Sequence, residues 1–308
     1  MRDRRPILVT GSHRSGTSWV GRMIAASTSP PVAYLKEPFN LLHRPGICDA
    51  RFPYWFPYLC EENGSAYRAP ITDMLRFRYK TAAELRAVRT PKDAARLIRD
   101  RARFGRYRRQ HAVPLQKDPI AVFSAGWLCD TFGMDVVVLI RHPCGFANSL
   151  ARLGWDHPFD HFLRQPLLMR DVLQPFEAEV RDFAARPRPP LEQGILLWNL
   201  IHHAILRYRR ERSDWLFLRL EDVAREPAAV FRDIYSRLGL AFTDEVAAVI
   251  AAHTEPSNPA TAVRPDDVRR NSRASAVAWK QALTAEEIRR IRIGVERIAA
   301  EFYSDEDW

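Results

Sequence analysis

Residues 7–23 read Ile7-Leu8-Val9-Thr10-Gly11-Ser12-His13-Arg14-Ser15-Gly16-Thr17-Ser18-Trp19-Val20-Gly21-Arg22-Met23. An apolar run ends in a glycine-bounded loop, and two hydroxyl residues open a helical pattern. A strand that passes into a helix this way aims backbone N–H groups and the positive end of the helix at one anion. A nucleotide triphosphatase would place lysine directly after the second glycine, to reach the β- and γ-phosphates. Thr17 stands there instead, and Arg14 brings positive charge earlier in the loop. That exchange argues against ATP hydrolysis while keeping an anion site.

A second segment carries complementary chemistry. The apolar run 136–140 ends at Arg141, Pro143 follows, and Ser149 lies eight residues beyond Arg141. Open α/β sheets place ligands at the carboxyl ends of parallel strands, and the planar guanidinium fork suits a phosphate. Gln116-Lys117-Asp118-Pro119 closes another apolar run and adds a cation. Glu37, in Leu35-Lys36-Glu37-Pro38-Phe39-Asn40, follows the second run and so falls on the same sheet edge. It is the candidate general base, for which hydrogen-bond reach to the departing proton is required; the alternative is a surface carboxylate paired with Arg14 or Lys36. His13, His111 and His142 are the other local candidates, and His202 and His203 fall inside a long helical pattern as structural residues.

These segments together resemble the sulfotransferases that use 3′-phosphoadenosine 5′-phosphosulfate (PAPS). The family's 5′-phosphosulfate loop runs strand, lysine or arginine, any residue, glycine, two hydroxyl residues, then an apolar or aromatic residue; Arg14-Ser15-Gly16-Thr17-Ser18-Trp19 fits it. Its 3′-phosphate site is a strand-end arginine with a serine eight residues on, as Arg141 and Ser149 are spaced. The resemblance implies a P-loop nucleotide-kinase-like fold. It also implies a nucleotide held by His13, Arg14, Ser15, Gly16, Thr17, Ser18, Trp19, Arg141 and Ser149, with 3′-phosphoadenosine 5′-phosphate (PAP) as product. Trp19 would offer an aromatic face to the adenine or else pack as core. Glu37, Arg14 and Lys117 would serve the transfer, and no metal is expected. In many members a basic C-terminal loop closes on the 3′-phosphate; its glycines are missing here, leaving Arg270 and Arg273 as candidates. Glu221 and Asp222 resemble a late-strand acidic pair and are read as structural.

The elements that must position these residues alternate along the chain. Strands are expected at 7–10, 32–35, 113–116, 136–140 and 216–220, the fourth apolar throughout as a strand buried on both faces should be. Helices are expected at 18–27, 123–131, 145–152, 191–212, 227–238 and 285–301, with 54–59 and 187–190 as proline loops. Such alternation predicts an α/β fold, a central parallel β-sheet flanked by helices on both faces. One domain over 1–308 is the simplest account, with residues 40–110 a substrate-side insertion.

The formal charge is +10 and the isoelectric point about 9.8. Such an excess suits nucleic acid, an acidic membrane surface or small anionic ligands. Arginines crowd 96–109, either as a solvated helix face or as a basic rim for an anionic substrate. No nucleic-acid module is recognisable, and none is expected as partner. Four cysteines without metal spacing read as reduced thiols. No apolar run reaches membrane-spanning length, and the start lacks a secretory apolar segment; with an Ala/Arg-rich composition, a bacterial cytoplasmic location is the expectation. An arginine loop with Glu-Pro leans the acceptor toward a sugar hydroxyl on a glycan or glycosylated small molecule. Two other readings stay open: a lysine-less P-loop nucleotide kinase or triphosphatase, and a non-catalytic polyanion-binding protein. The sequence leaves the oligomeric state open.

Overall fold

A computed structural model of the chain describes residues 4–255, 257–259, 269 and 271–308. Five strands, β1 (Ile7–Gly11), β2 (Val32–Lys36), β3 (Val113–Lys117), β4 (Asp135–Ile140) and β5 (Leu216–Arg219), form one sheet in the order β2-β3-β1-β4-β5. Every pairing is parallel. All five strand ends therefore meet at one edge, with β1 at the centre.

Side chains alternate across the sheet. Leu8, Leu35, Val136, Val138 and Ile140 join the larger core, with the Pro190–Glu211 helix behind them. Ile7, Val9, Leu115, Val137 and Leu139 face a second core beneath the helices Thr17–Ile24, Pro227–Arg237 and Asp244–Thr254. Both faces are thus covered, which is why β4 carries no polar residue beyond its first. The expected α/β architecture is the one observed.

Residues 40–110 form helices at Ser65–Leu75, Thr81–Ala87 and Pro91–Arg109. Phe52, Phe56, Ile71, Met74, Phe77 and Phe104 from this segment enter the larger core. The segment leaves the sheet where β2 ends and returns where β3 begins. Its arginine-rich end, Arg106 to Arg109, is thereby carried to the edge where strands start, away from the glycine loop. No disulfide joins the cysteines, and Cys48, Cys129 and Cys144 are buried. Among the described residues, no helix is long and apolar enough to cross a membrane.

Candidate active site

β1 ends at Gly11, whose φ of 126° lies in the region that favours glycine. A Cβ there would fall 2.1 Å from the Leu139 carbonyl oxygen of β4. The chain then turns through Arg14 (φ 64°) and Gly16 (φ 85°) into the Thr17–Ile24 helix. The Ser15 N–H donates to the Ser12 carbonyl at 3.2 Å, and the Ser15 hydroxyl donates to the same oxygen. Ser15 therefore builds the loop with its side chain. No side chain caps the helix, so its leading N–H groups remain available at the mouth of the loop. Thr17 is buried at this position, and the Ser18 hydroxyl meets the Tyr34 phenol, whose pKa burial pushes up to about 12.

Arg141, at the end of β4, donates from Nη1 to the Arg14 carbonyl at 2.6 Å. Arg14 in turn donates from Nε to the Ser149 hydroxyl at 3.1 Å, across from the Pro143–Leu153 helix. The two sequence segments, 127 residues apart along the chain, are joined by direct contacts. Behind Arg141, its own carbonyl accepts the Trp198 indole N–H at 2.9 Å, and Glu221 accepts the next N–H, that of His142, at 3.0 Å. Gly145 leaves room above: a Cβ there would stand 2.9 Å from Arg141 Nε and 3.3 Å from Trp279 Cδ1.

A second cluster forms at the ends of β2 and β3. Glu37 takes φ 46°, its N–H donates to the Lys117 carbonyl at 2.8 Å, and its carboxylate is paired with Lys117 Nζ. Asn40 Nδ2 donates to the other carboxylate oxygen at 3.2 Å. The Lys117 side chain is 1% exposed and Glu37's 23%, so the cation is enclosed and the carboxylate is partly open to solvent. Glu37 thus forms its ion pair with Lys117, in place of the alternative pairing with Arg14 or Lys36. Asp118 is buried beside them and accepts from Phe39 N at 2.7 Å and Ile120 N at 3.1 Å, fixing the turn that carries Glu37. Burial pushes its carboxyl up to about 7.

Several expected site residues point elsewhere. His13 is enclosed by Phe56, Phe146 and Trp155, with ring centroids at 5.4, 4.9 and 5.5 Å. Burial lowers its pKa to about 3, so the ring is neutral. Trp19 is 8% exposed in the second core, edge-on to Phe231 at 5.7 Å. That position matches the core alternative for its ring. His142 stacks on Trp279 at 4.5 Å and is held neutral by burial, with a pKa of about 3. His111 is exposed just before β3, at the far edge of the sheet. Arg273 donates to the Arg225 carbonyl at 2.6 Å, and Arg270 lies outside the described residues.

Sequence reasoning gave no role to Trp155, Gly145 or the Asp118 side chain. Trp155 lies between His13 and the Arg14 guanidinium, 5.9 Å from the latter. It follows a helix-ending glycine, and only its aromatic type offered a signal. Gly145 in the first turn of a helix was the readable clue for a crowded neighbour. Among the described residues, no group of three or more His, Cys, Asp or Glu is arranged to hold a metal ion.

The arrangement offers an anion loop, two arginines and a serine in one connected set, with a partly open carboxylate on an enclosed lysine nearby. A sequence profile of the sulfotransferase family matches residues 6–244. Among solved structures, the chain is similar to the sulfotransferase domain of the olefin synthase of Synechococcus PCC 7002, with a TM-score of 0.53 and 17% identity over 99% of this chain and 97% of that one. It is also similar to the sulfotransferase domain from the curacin biosynthetic pathway, with a TM-score of 0.51 and 15% identity over 95% and 98%. At such identities these likenesses speak for the fold. No curated protein sequence matches.

Proposed function

The chain belongs to the sulfotransferase family, and from that premise we propose that it transfers a sulfuryl group from PAPS to an acceptor hydroxyl or amine. The observation that carries the donor assignment is the Arg141–Arg14–Ser149 chain of contacts, which supports two phosphate sites side by side. The residues fit a nucleotide phosphorylated at both ends: glycines that let backbone approach closely, open helix N–H groups, and guanidinium donors following two strands. In this reading Arg14, Gly16, Thr17 and Ser18 hold the 5′-phosphosulfate, and Arg141 with Ser149 holds the 3′-phosphate. His13, Ser15 and Trp19 support the loop by packing and by its internal hydrogen bonds.

When bound, the donor supplies an activated sulfuryl group on its 5′-phosphate. In-line transfer of this kind is driven by positioning and charge stabilisation, as phosphoryl transfer is. Arg14 and the loop amides bear on the sulfuryl oxygens, and the Lys117 cation bears on the charge that develops as the bond to the phosphate breaks. Glu37 accepts the acceptor's proton at its partly open carboxylate. Lys117 and Asp118 keep that carboxylate in place. For the acceptor, the arginine loop and Glu37-Pro38 favour a sugar hydroxyl.

Calorimetry tests the donor assignment. PAP should bind without magnesium, and ATP should bind weakly; the reverse order would support the nucleotide kinase reading. Acceptors are tested by incubating candidates with PAPS and following a sulfate mass gain.

A further inference from the structure

Residues 84–109 hold ten basic and three acidic residues, a net charge of +7 out of the chain's +10. All three acids are committed inward or to capping. Glu84 is fully buried and accepts from Gly46 N at 2.8 Å, and Asp100 is buried against Arg99 and Arg103. Asp93 closes the capping box with Thr90. Elsewhere several exposed arginines are matched, as Arg181 is by Glu177, Arg212 by Asp130 and Arg289 by Glu286. On the Pro91–Arg109 helix, Lys92, Arg101, Arg106, Arg108 and Arg109 have no carboxylate partner among the described residues.

The outer face of this helix is also apolar along its crest. Phe104 anchors the inner face, edge-on to Phe77 at 6.0 Å and Tyr79 at 5.4 Å. Ala95, Ile98 and Ala102 recur at helical spacing on the outside, and Ile98 is 68% exposed. Arg101 and Arg108 flank the crest on one side, Lys92, Arg99 and Arg106 on the other. Leu85, from the preceding short helix, is 64% exposed. Aliphatic side chains between two basic rows suit a helix lying in the plane of an anionic lipid surface. Single-stranded nucleic acid would favour aromatic faces for base stacking, and this crest has none.

We propose that the Pro91–Arg109 helix is a docking face for a membrane surface rich in anionic lipid headgroups, with Ile98 entering the headgroup layer. The test is flotation of the whole protein with phosphatidylcholine vesicles, with and without phosphatidylglycerol. Binding is expected only with the anionic lipid and should weaken as salt rises. Each arginine near such a surface contributes about fivefold, so R101Q/R108Q/R109Q should lower partitioning roughly 100-fold. I98S should lower it about tenfold. Both variants should keep the wild-type melting temperature and PAP affinity. No binding to anionic vesicles, or full binding by the triple variant, would overturn the proposal. So would binding indifferent to I98S and competed away by single-stranded RNA, which would mark a nucleic-acid surface instead.

Discussion

Arg141 donates to the backbone carbonyl of Arg14 at 2.6 Å, so a strand-end guanidinium and the turn of the anion loop are one hydrogen-bonded unit. Ser149 completes it by accepting from Arg14 Nε at 3.1 Å. Removing that hydroxyl should matter for the nucleotide more than for the fold. Ser149→Ala is expected to weaken PAP by about 1 kcal/mol, the range for one hydrogen bond, with an unchanged melting temperature. Calorimetry and a thermal melt together check this.

Gly145 offers a sharper probe, because it touches neither nucleotide nor acceptor in this account. Gly145→Ala removes the backbone freedom of a helical glycine, which favours the fold by about 1 kcal/mol. It also places a Cβ 2.9 Å from Arg141 Nε and 3.3 Å from Trp279, so the guanidinium must shift. PAP affinity should fall about tenfold, or 1.4 kcal/mol, while the melting temperature stays near that of the wild type. Unchanged affinity would mean that the guanidinium's position is unimportant.

Glu37 and Lys117 need a paired experiment. Glu37→Gln should cut turnover by about 10²–10⁴ with PAP affinity intact. It also leaves the enclosed Lys117 ammonium without its partner, which costs about 3–5 kcal/mol in a buried pair. The double variant Glu37→Gln/Lys117→Met should regain much of that stability and none of the turnover. If the double variant regains turnover, Glu37 is not the base.

Acid should destabilise the fold below about pH 6.5. His13, His142 and His202 are buried, with pKa values lowered to about 3 from an ordinary 6.5. Between those values the unfolded chain binds more protons than the folded one, so stability is present above 6.5 and lost as pH falls. The loss is on the order of 1–2 kcal/mol per histidine at pH 5. Asp118 opposes it in part: its raised pKa, about 7, makes the folded chain the better proton binder between roughly 4 and 7. Urea midpoints measured from pH 5 to pH 8 should therefore rise toward neutrality.

The sheet was legible because each strand is a short apolar run ended by a charged or glycine residue. Val32–Lys36, Val113–Lys117 and Asp135–Ile140 all lie within a residue of expectation. The fifth strand stops at Arg219 because Leu220 opens a helix, and the Leu220 side chain packs against Gly16. Residues 40–110 were opaque for identifiable reasons. The Ser65–Leu75 helix contains Pro70, and the Pro91–Arg109 helix hides its apolar period among arginines. Its start was nonetheless written in Thr90-Pro91-Lys92-Asp93, a capping box with Asp in the reciprocal position. At the site, motif order showed which segments converge. It did not show that Ser15, His13 and Trp19 would turn inward, since that depends on neighbours such as Phe56, Trp155 and Phe231 that lie far away in sequence.

The donor assignment turns on Arg141 gripping a 3′-phosphate. Titrate PAP and adenosine 5′-phosphate, without magnesium, into the wild type and Arg141→Ala. PAP should lose about 1.5–3 kcal/mol, the range for hydrogen bonds to a charged group, and adenosine 5′-phosphate far less. Equal losses for both ligands would make Arg141 a loop tether only, and unchanged PAP affinity would contradict the assignment outright.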